Sequence, residues 1–448
     1  MFWKKICIRY YPPGIAVCYK PLAAEEKIKH IDLLDLNVKT NIEELTQYII
    51  ANDDIITSDL YIPLRNALDK IQKKLREPTK IKFYLHKTIQ SHILPLTNIN
   101  FDRSDKCLTG SYDRTCRLIN TTSGTEERCF RGHENVVFSV GFNYPICDKI
   151  ITGSFDKTAK IWSCSNASCL NTYYGHSAEI VSAEFNPNNF DVLVTGSMDK
   201  TGRIWHVETA QEIGVLDQHT GEVIAAKYSR EGQLILTGSF DNTAFIWDTR
   251  MKEYILFIPN YIHIHIILIF YIDLKNDEYF RAIAHLNGHT AALSNCVWNF
   301  PGNLVATSSL DGTARIWDIR SLIGDQSLFL IRGHEDEVLD ITFDYCGKRV
   351  ATSSSDTTAK VWSIEGDLNL SAIMTGHSDE VSKVCFSPSG CLLLTASADK
   401  TSRLWFSDTG VCSQVLAGHE SDVFSCGFNY KGDIVVTASK DNTCKIWR

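Results

Sequence analysis

The chain has 448 residues, 44% of them hydrophobic, with 45 Lys+Arg against 53 Asp+Glu for a formal net charge of −8. That length leaves room for more than one domain, and the acidic balance argues against nucleic acid or an anionic membrane as a partner. Its 15 cysteines form no paired Cys-x-x-Cys motif and no repeated ligand spacing, so free thiols in a reducing compartment are expected, with no metal site and no disulfide framework.

Residues 1–90 carry 15 Lys+Arg against 11 Asp+Glu, so the acidic excess lies further along. The first nine residues hold Phe2, Trp3, Ile6 and Ile8 but also Lys4 and Lys5. They lack a continuous apolar core, and no signal peptide is expected. Residues 5–20 and 27–36 read as two strands, the first interrupted at the corner Pro12-Pro13-Gly14. Asn41 is placed to cap a helix over 42–51, with Glu44 completing a capping-box-like arrangement. Thr57 or Ser58 opens a longer helix in which Leu64, Leu68, Ile71 and Leu75 recur at helical spacing, and Glu77-Pro78 ends it. Residues 1–80 thus read as a small α+β module, either a plain cap on the remainder of the chain or a docking element for a partner.

Beyond it one frame returns eight times: a Thr, an Asp four residues on and, in seven of the eight, a Trp six residues further. The Thr/Asp pairs are Thr109/Asp113, Thr152/Asp156, Thr195/Asp199, Thr237/Asp241, Thr307/Asp311, Thr352/Asp356, Thr395/Asp399 and Thr437/Asp441. The closing residues are Ile119, Trp162, Trp205, Trp247, Trp317, Trp362, Trp405 and Trp447. A His stands 21 to 23 residues ahead of each Asp: His92, His133, His176, His219, His289, His334, His377 and His419. Asp-to-Asp spacings of 43, 43, 42, 70, 45, 43 and 42 leave one unit oversized. The third unit splits into strands over 179–185, 192–196, 201–206 and 212–216, separated by turn residues. A sheet of this size cannot bury both faces alone, so the units stack around an axis. The expectation is an all-β fold, an eight-bladed WD40-type β-propeller over 81–448 preceded by the α+β module. The last unit stops at Arg448 without an outer strand; the extended run 81–89 is placed there, closing the ring and removing sheet edges.

The repeated side chains read as structural. A buried indole N–H needs a partner, and Thr, His and Asp supply a relay from it to a turn. The oversized fourth unit contains residues 251–281, rich in Ile and Tyr. It approaches the length of a membrane span, but Pro259, Asn260, His263 and His265 interrupt it. A β-hairpin, an exposed apolar insert and a translated intron are the three readings, the last favoured by intact repeats on either side. His263 and His265 sit at strand spacing, without an acidic or Cys neighbour to complete a metal site.

Two sets of loop residues point to a binding face. Immediately before each turn Asp stand Tyr112, Phe155, Met198, Phe240, Leu310, Ser355, Ala398 and Lys440, large and apolar in the first five units. Three positions after each His, in units two to eight, stand Val136, Glu179, Glu222, Ala292, Glu337, Glu380 and Asp422, a mostly acidic collar. Such a surface suits a basic-aromatic segment. There is no phosphate-binding loop, and no nucleophile with its own base outside the repeated set, so neither an enzyme nor a cofactor is expected.

The runs Arg9-Tyr10-Tyr11-Pro12-Pro13-Gly14-Ile15, Ile31-Asp32-Leu33-Leu34-Asp35-Leu36, His92-Ile93-Leu94-Pro95-Leu96-Thr97-Asn98 and Thr109-Gly110-Ser111-Tyr112-Asp113-Arg114-Thr115-Cys116 resemble the family of dynein assembly factors with WD repeats. So do Phe424-Ser425-Cys426, Phe428-Asn429-Tyr430-Lys431-Gly432, Lys440-Asp441-Asn442-Thr443-Cys444 and Ile446-Trp447-Arg448. The resemblance runs over nearly the whole chain except 251–281. It implies a non-enzymatic adaptor that couples outer-arm axonemal dynein components to an intraflagellar transport complex subunit, with propeller and N-terminal module both contributing. It also implies residence in the cytoplasm and in a cilium or flagellum, including the basal body region. Ile119, the Gln218 before His219 and the insert depart from the pattern. A generic WD40 scaffold or peptide-recognition subunit, as in a ubiquitin-ligase receptor or chromatin complex, is the alternative.

Overall fold

The computed structural model describes residues 2–20, 27–53, 55–76, 80–250, 280, 282–321 and 326–448. The N-terminal module holds a three-stranded antiparallel sheet, β1 (Phe2–Arg9), β2 (Gly14–Lys20) and β3 (Lys27–Asp32), packed with helices α1 (Ile42–Asn52) and α2 (Tyr61–Arg76). The Pro12-Pro13-Gly14 corner is a hairpin turn, so the first expected strand is two: Arg9 pairs with Gly14. The expected strand over 27–36 stops at Asp32, because Leu33 and Leu36 turn inward and bury in the module's core. The Asn41 side chain caps α1 by accepting the Glu43 N–H at 3.0 Å. Leu64, Leu68 and Ile71 of α2 are fully buried. The helix stop read at Glu77-Pro78 lies outside the described residues.

Eight four-stranded sheets make up the ring. In blade three the strands are Ile180–Phe185, Val192–Ser197, Gly202–His206 and Glu212–Leu216, from the axis outward. Second strands are covered on both faces by adjacent blades, so Leu392–Ser397 is buried at every residue and reads as a continuous apolar run rather than an alternating one. The core lies between blades: Ile161 of the second joins Leu193 and Trp205 of the third in one cluster. Ile119, standing where Trp is usual, is fully buried against Val436 and Ile446 of the eighth blade. Of the stretch 251–281, with His263 and His265, only Phe280 lies among the described residues; it is buried beside Trp247.

At the seam, β4 (Leu85–Ile89) is the outer strand of the eighth blade, in register Cys444↔Ile89, Lys445↔Thr88, Ile446↔Lys87 and Trp447↔Leu85. Tyr84 and Arg448 exchange backbone hydrogen bonds at 2.9 and 2.8 Å. Residues 81–83 do not continue that strand. Side chains of the seventh blade's outer strand hold them: Gln414 accepts the Phe83 N–H at 2.8 Å and the Ser413 hydroxyl donates to the Ile81 carbonyl at 3.0 Å. The Phe83 ring, with no exposure, fills the gap between blades seven and eight among Leu416, Val423 and Trp447.

Candidate functional site

In seven blades the Trp indole N–H donates to the Thr hydroxyl at 2.8–3.0 Å. In all eight, that hydroxyl lies 2.7–2.9 Å from His Nε2. His Nδ1 lies 2.7–2.9 Å from the Asp carboxylate. Counting protons orients the relay. The carboxylate accepts, so Nδ1 carries a proton toward it; with burial disfavouring a second proton on the ring, Nε2 is left to accept the Thr hydroxyl, whose oxygen accepts the indole N–H. On this arrangement the imidazole is neutral. Burial lowers the pKa of His176, His289, His334, His377 and His419, against the opposing pull of their Asp partners. Burial pushes the Asp carboxyls up, but hydrogen bonds from imidazole, Thr hydroxyl and backbone outweigh it: Asp113, Asp156, Asp199 and Asp241 fall far below the usual range, and Asp311, Asp356 and Asp441 to about 2. Both ring nitrogens of each His are engaged, so no tetrad offers a free base.

Each Asp also anchors its turn, where its carboxylate accepts backbone N–H groups as expected and the flanking hydroxyls add to it. The frame is Ser-x-Asp-x-Thr in every unit. In blade seven the Asp399 N–H donates to Ser397, whose hydroxyl donates to the Asp379 carbonyl at 3.1 Å. The Asp399 carboxylate accepts the Thr401 N–H and hydroxyl at 2.9 and 2.6 Å and the Ser378 N–H at 3.2 Å. This ties the turn between the second and third strands to the loop entering the blade. The signal was visible as the invariant Ser and Thr flanking each Asp. The residue after the Asp adopts the left-handed conformation in all eight blades, as Gly312 at φ 75° but Thr357 at φ 69°. That backbone costs a non-glycine residue about 1–2 kcal/mol, against about 0.5–1 kcal/mol for ordering a glycine. Thr357→Gly is expected to raise the unfolding free energy by roughly 0.5–1 kcal/mol, read as a higher urea midpoint; a lower midpoint counts against the turn being strained.

The two sets of candidate binding residues meet in each blade. The residue before the turn Asp donates its backbone N–H to the carbonyl three positions after the His, at 2.9–3.0 Å: Phe155 to Val136, Met198 to Glu179, Phe240 to Glu222, Leu310 to Ala292, Ser355 to Glu337, Ala398 to Glu380 and Lys440 to Asp422. Tyr112 completes the circle on Pro95. Tyr112 and Phe240 are exposed, while Phe155 and Met198 are half-buried. Phe155 lies flat against the exposed Phe138, ring centroids 5.4 Å apart. The collar is uneven. Glu337 and Glu380 are exposed, Glu179 and Glu222 half-buried, and Asp422 is paired with Lys440 at 3.0 Å. Asp336 and Asp379 spend a carboxylate oxygen on the N–H groups of Glu337 and Glu380, at 2.8 Å each. One face thus carries an apolar arc over blades one to five, Leu310 of the fifth being half-buried like Phe155 and Met198, and carboxylates over blades six and seven.

The axial cavity, about 520 Å³, is lined by the innermost strands. Its polar side chains stitch neighbouring blades together. Thr97 donates to the Val137 carbonyl at 2.7 Å, Ser294 to Val338 at 2.6 Å and Ser382 to Val423 at 2.9 Å. Asp340 accepts the Val384 N–H, and Glu184 the Tyr228 N–H, both at 3.1 Å. Burial pushes the Glu184 carboxyl up to about 7 against Lys227 and that N–H. These carboxylates replace the backbone pairing that adjacent innermost strands lack, a use the sequence reading missed. Among the described residues no group of three or more His, Cys, Asp or Glu could hold a metal ion, and all 15 cysteines are free.

The family model described as "WD domain, G-beta repeat" matches residues 83–120, 124–163, 167–206, 210–248, 280–318, 325–363, 368–405 and 410–448. Over 143 residues the chain is 44% identical to "Dynein assembly factor with WD repeat domains 1" of Danio rerio. It is 41% identical, over the same length, to the proteins of that name from Mus musculus and Homo sapiens. Each match covers 32% of this chain and 34% of the relative, so the chain spans about a third of the length of the curated relatives it matches. The crystal structure of the computationally designed Ika8 protein superimposes with a TM-score of 0.65 at 24% identity, over 80% of this chain and 98% of that one, a likeness of fold alone.

Proposed function

We propose, from the premise that this chain belongs to the WD-domain, G-beta-repeat family, that it is a non-catalytic adaptor in the assembly of ciliary dynein, coupling outer-arm dynein components to an intraflagellar transport subunit. The observation that carries the reading is 41–44% identity to proteins named as dynein assembly factors. The open face described above supports it, with Tyr112, Phe155, Met198 and Phe240 as apolar anchors and Glu179, Glu222, Glu337, Glu380 and Asp422 facing cationic groups. On this reading the protein works in the cytoplasm and the cilium or flagellum, including the basal body region. Affinity purification from cells that are building cilia is expected to recover dynein-arm and transport subunits together with it. Recovery of neither sinks the proposal. The generic-scaffold alternative draws on the same acidic face; a nuclear location together with a histone-tail or degron ligand would select it.

The charge arm of this surface has its own test. Glu337→Lys with Glu380→Lys changes exposed side chains that accept no hydrogen bond from the ring's backbone, so the fold is expected to be unaltered while partner capture falls roughly tenfold. Unaltered capture by the folded double variant removes the carboxylates from the binding face.

A further inference from the structure

The N-terminal module sits on the opposite face of the ring, against turns that join first to second strands. Tyr430 accepts the Tyr10 and Tyr11 N–H groups through its hydroxyl at 3.2 and 3.4 Å. Arg230 makes a two-point contact with Asp32, one arm at 2.9 Å, and Arg9 binds the same carboxylate. Both guanidinium groups lie over the Phe300 ring, at 4.0 Å for Arg230 and 4.9 Å for Arg9. Lys348 pairs with Asp35 at 2.9 Å and with Glu365 at 3.0 Å. The docked edge is the segment Ile31-Asp32-Leu33-Leu34-Asp35-Leu36. Its Leu33 and Leu36 are buried in the module's own core, while its two aspartates turn to the ring.

The packing explains how firmly this edge is held. Among the described residues, the module's hydrophobic cluster contains none of the ring, and the ring's clusters contain none ahead of Phe83. A module with its own core, joined through one half-buried and one largely exposed ion-pair cluster and aromatic faces, separates without opening an apolar interface. On the ring's side the contact is Arg230, Phe300, Lys348 and Tyr430: a forked cation on an aromatic ring, a second cation and a phenol. That is the chemistry that receives carboxylates.

We infer that this basic-aromatic site is a receptor for an acidic segment, that the Asp32/Asp35 edge occupies it within the chain, and that a partner segment carrying two carboxylates three residues apart displaces that edge. The inference stands apart from the dynein reading, because it concerns the other face and names its ligand by charge alone.

The test uses the full chain and, as probe, a fluorescein-labelled peptide of residues 27–40, with its Asp-to-Asn counterpart as control. Unmodified protein is expected to bind the probe weakly. Asp32→Asn with Asp35→Asn, which weakens the internal occupant, should tighten binding at least tenfold and lower hydrogen-exchange protection of the turns at 229–233 and 344–348. Arg230→Ala with Lys348→Ala alters only ring-side turn side chains, leaves the module's core intact, and should abolish binding. Equal binding of the control peptide, unchanged affinity in the Asn variant, or binding that survives the Ala variant overturns the inference. So does protection of the turns that does not respond to the Asn pair, since the module is then a fixed cap.

Discussion

Deleting residues 437–448 is expected to abolish cooperative unfolding of the ring. The cut removes Cys444–Trp447, the strand on which β4 pairs, together with the end of Val435–Ser439. It also strips the Tyr84–Arg448 exchange and leaves Phe83 without Trp447 against it. Two strand edges of the eighth blade are then left unpaired, β4 on one side and the stub of Val435–Ser439 on the other, and a closed ring has no other means of protecting them. Phe83→Ala is the graded form of the experiment. The ring fills a gap between two blades with no exposure, so its loss leaves a cavity at a cost of about 3–5 kcal/mol. Differential scanning calorimetry and size-exclusion chromatography decide both. A truncated protein that elutes as a monomer with an unchanged transition shows that the ring does not depend on its clasp.

Acid is expected to unfold this ring progressively from just below neutrality. Side chains of the eight tetrad His are 0–1% exposed and those of the Asp 2–9%, so solvent reaches neither. Burial holds His176, His289, His334, His377 and His419 neutral below the pH at which an unfolded chain protonates them. As pH falls through about 6.5 the unfolded state takes up protons that the native state refuses, and stability drops. The carboxylates act in the same direction further down. Their native pKa values are depressed, so the stability they contribute is full above an ordinary carboxylate pKa of about 4 and is lost as pH falls from there toward about 2. Two groups of opposite charge type thus push one way. The urea midpoint at pH 4.5 is expected to be roughly half that at pH 7.5, with net proton uptake on unfolding throughout. A midpoint that is flat between pH 7.5 and 5 would mean that native and unfolded imidazoles titrate alike, and one that rises on acidification that they are already charged in the fold; either result overturns the neutral relay.

How much of this was readable beforehand depends on the distance over which each feature is determined. The Thr-to-Asp and Asp-to-Trp spacings and the upstream His recur within about 30 residues, and strands of one blade are consecutive, so eight units and their internal partners were legible. The Ser and Thr flanking each Asp were equally visible, but their roles were not, because a hydroxyl in a turn can bond to several nearby groups and only the folded loop selects one. The N-terminal hairpin was read as one broken strand, since proline and glycine announce a turn without saying that the chain reverses. Phe83 was placed within a strand running 81–89; its backbone is instead claimed by Gln414, 331 residues away.

By itself, then, the order of residues determined the number of repeats, the relay in each and the want of an outer strand in the last. Local spacing carries that information, since the groups that must meet are joined by short pieces of chain. Which strand register closes the seam, how Thr97, Asp340 and Glu184 stitch one blade to the next, and that Asp32 and Asp35 lie on Arg230 and Lys348 were decided only by the tertiary structure. Those contacts join residues from forty to more than three hundred positions apart. No periodicity couples such positions until packing of the blades fixes the curvature of the ring and brings them together.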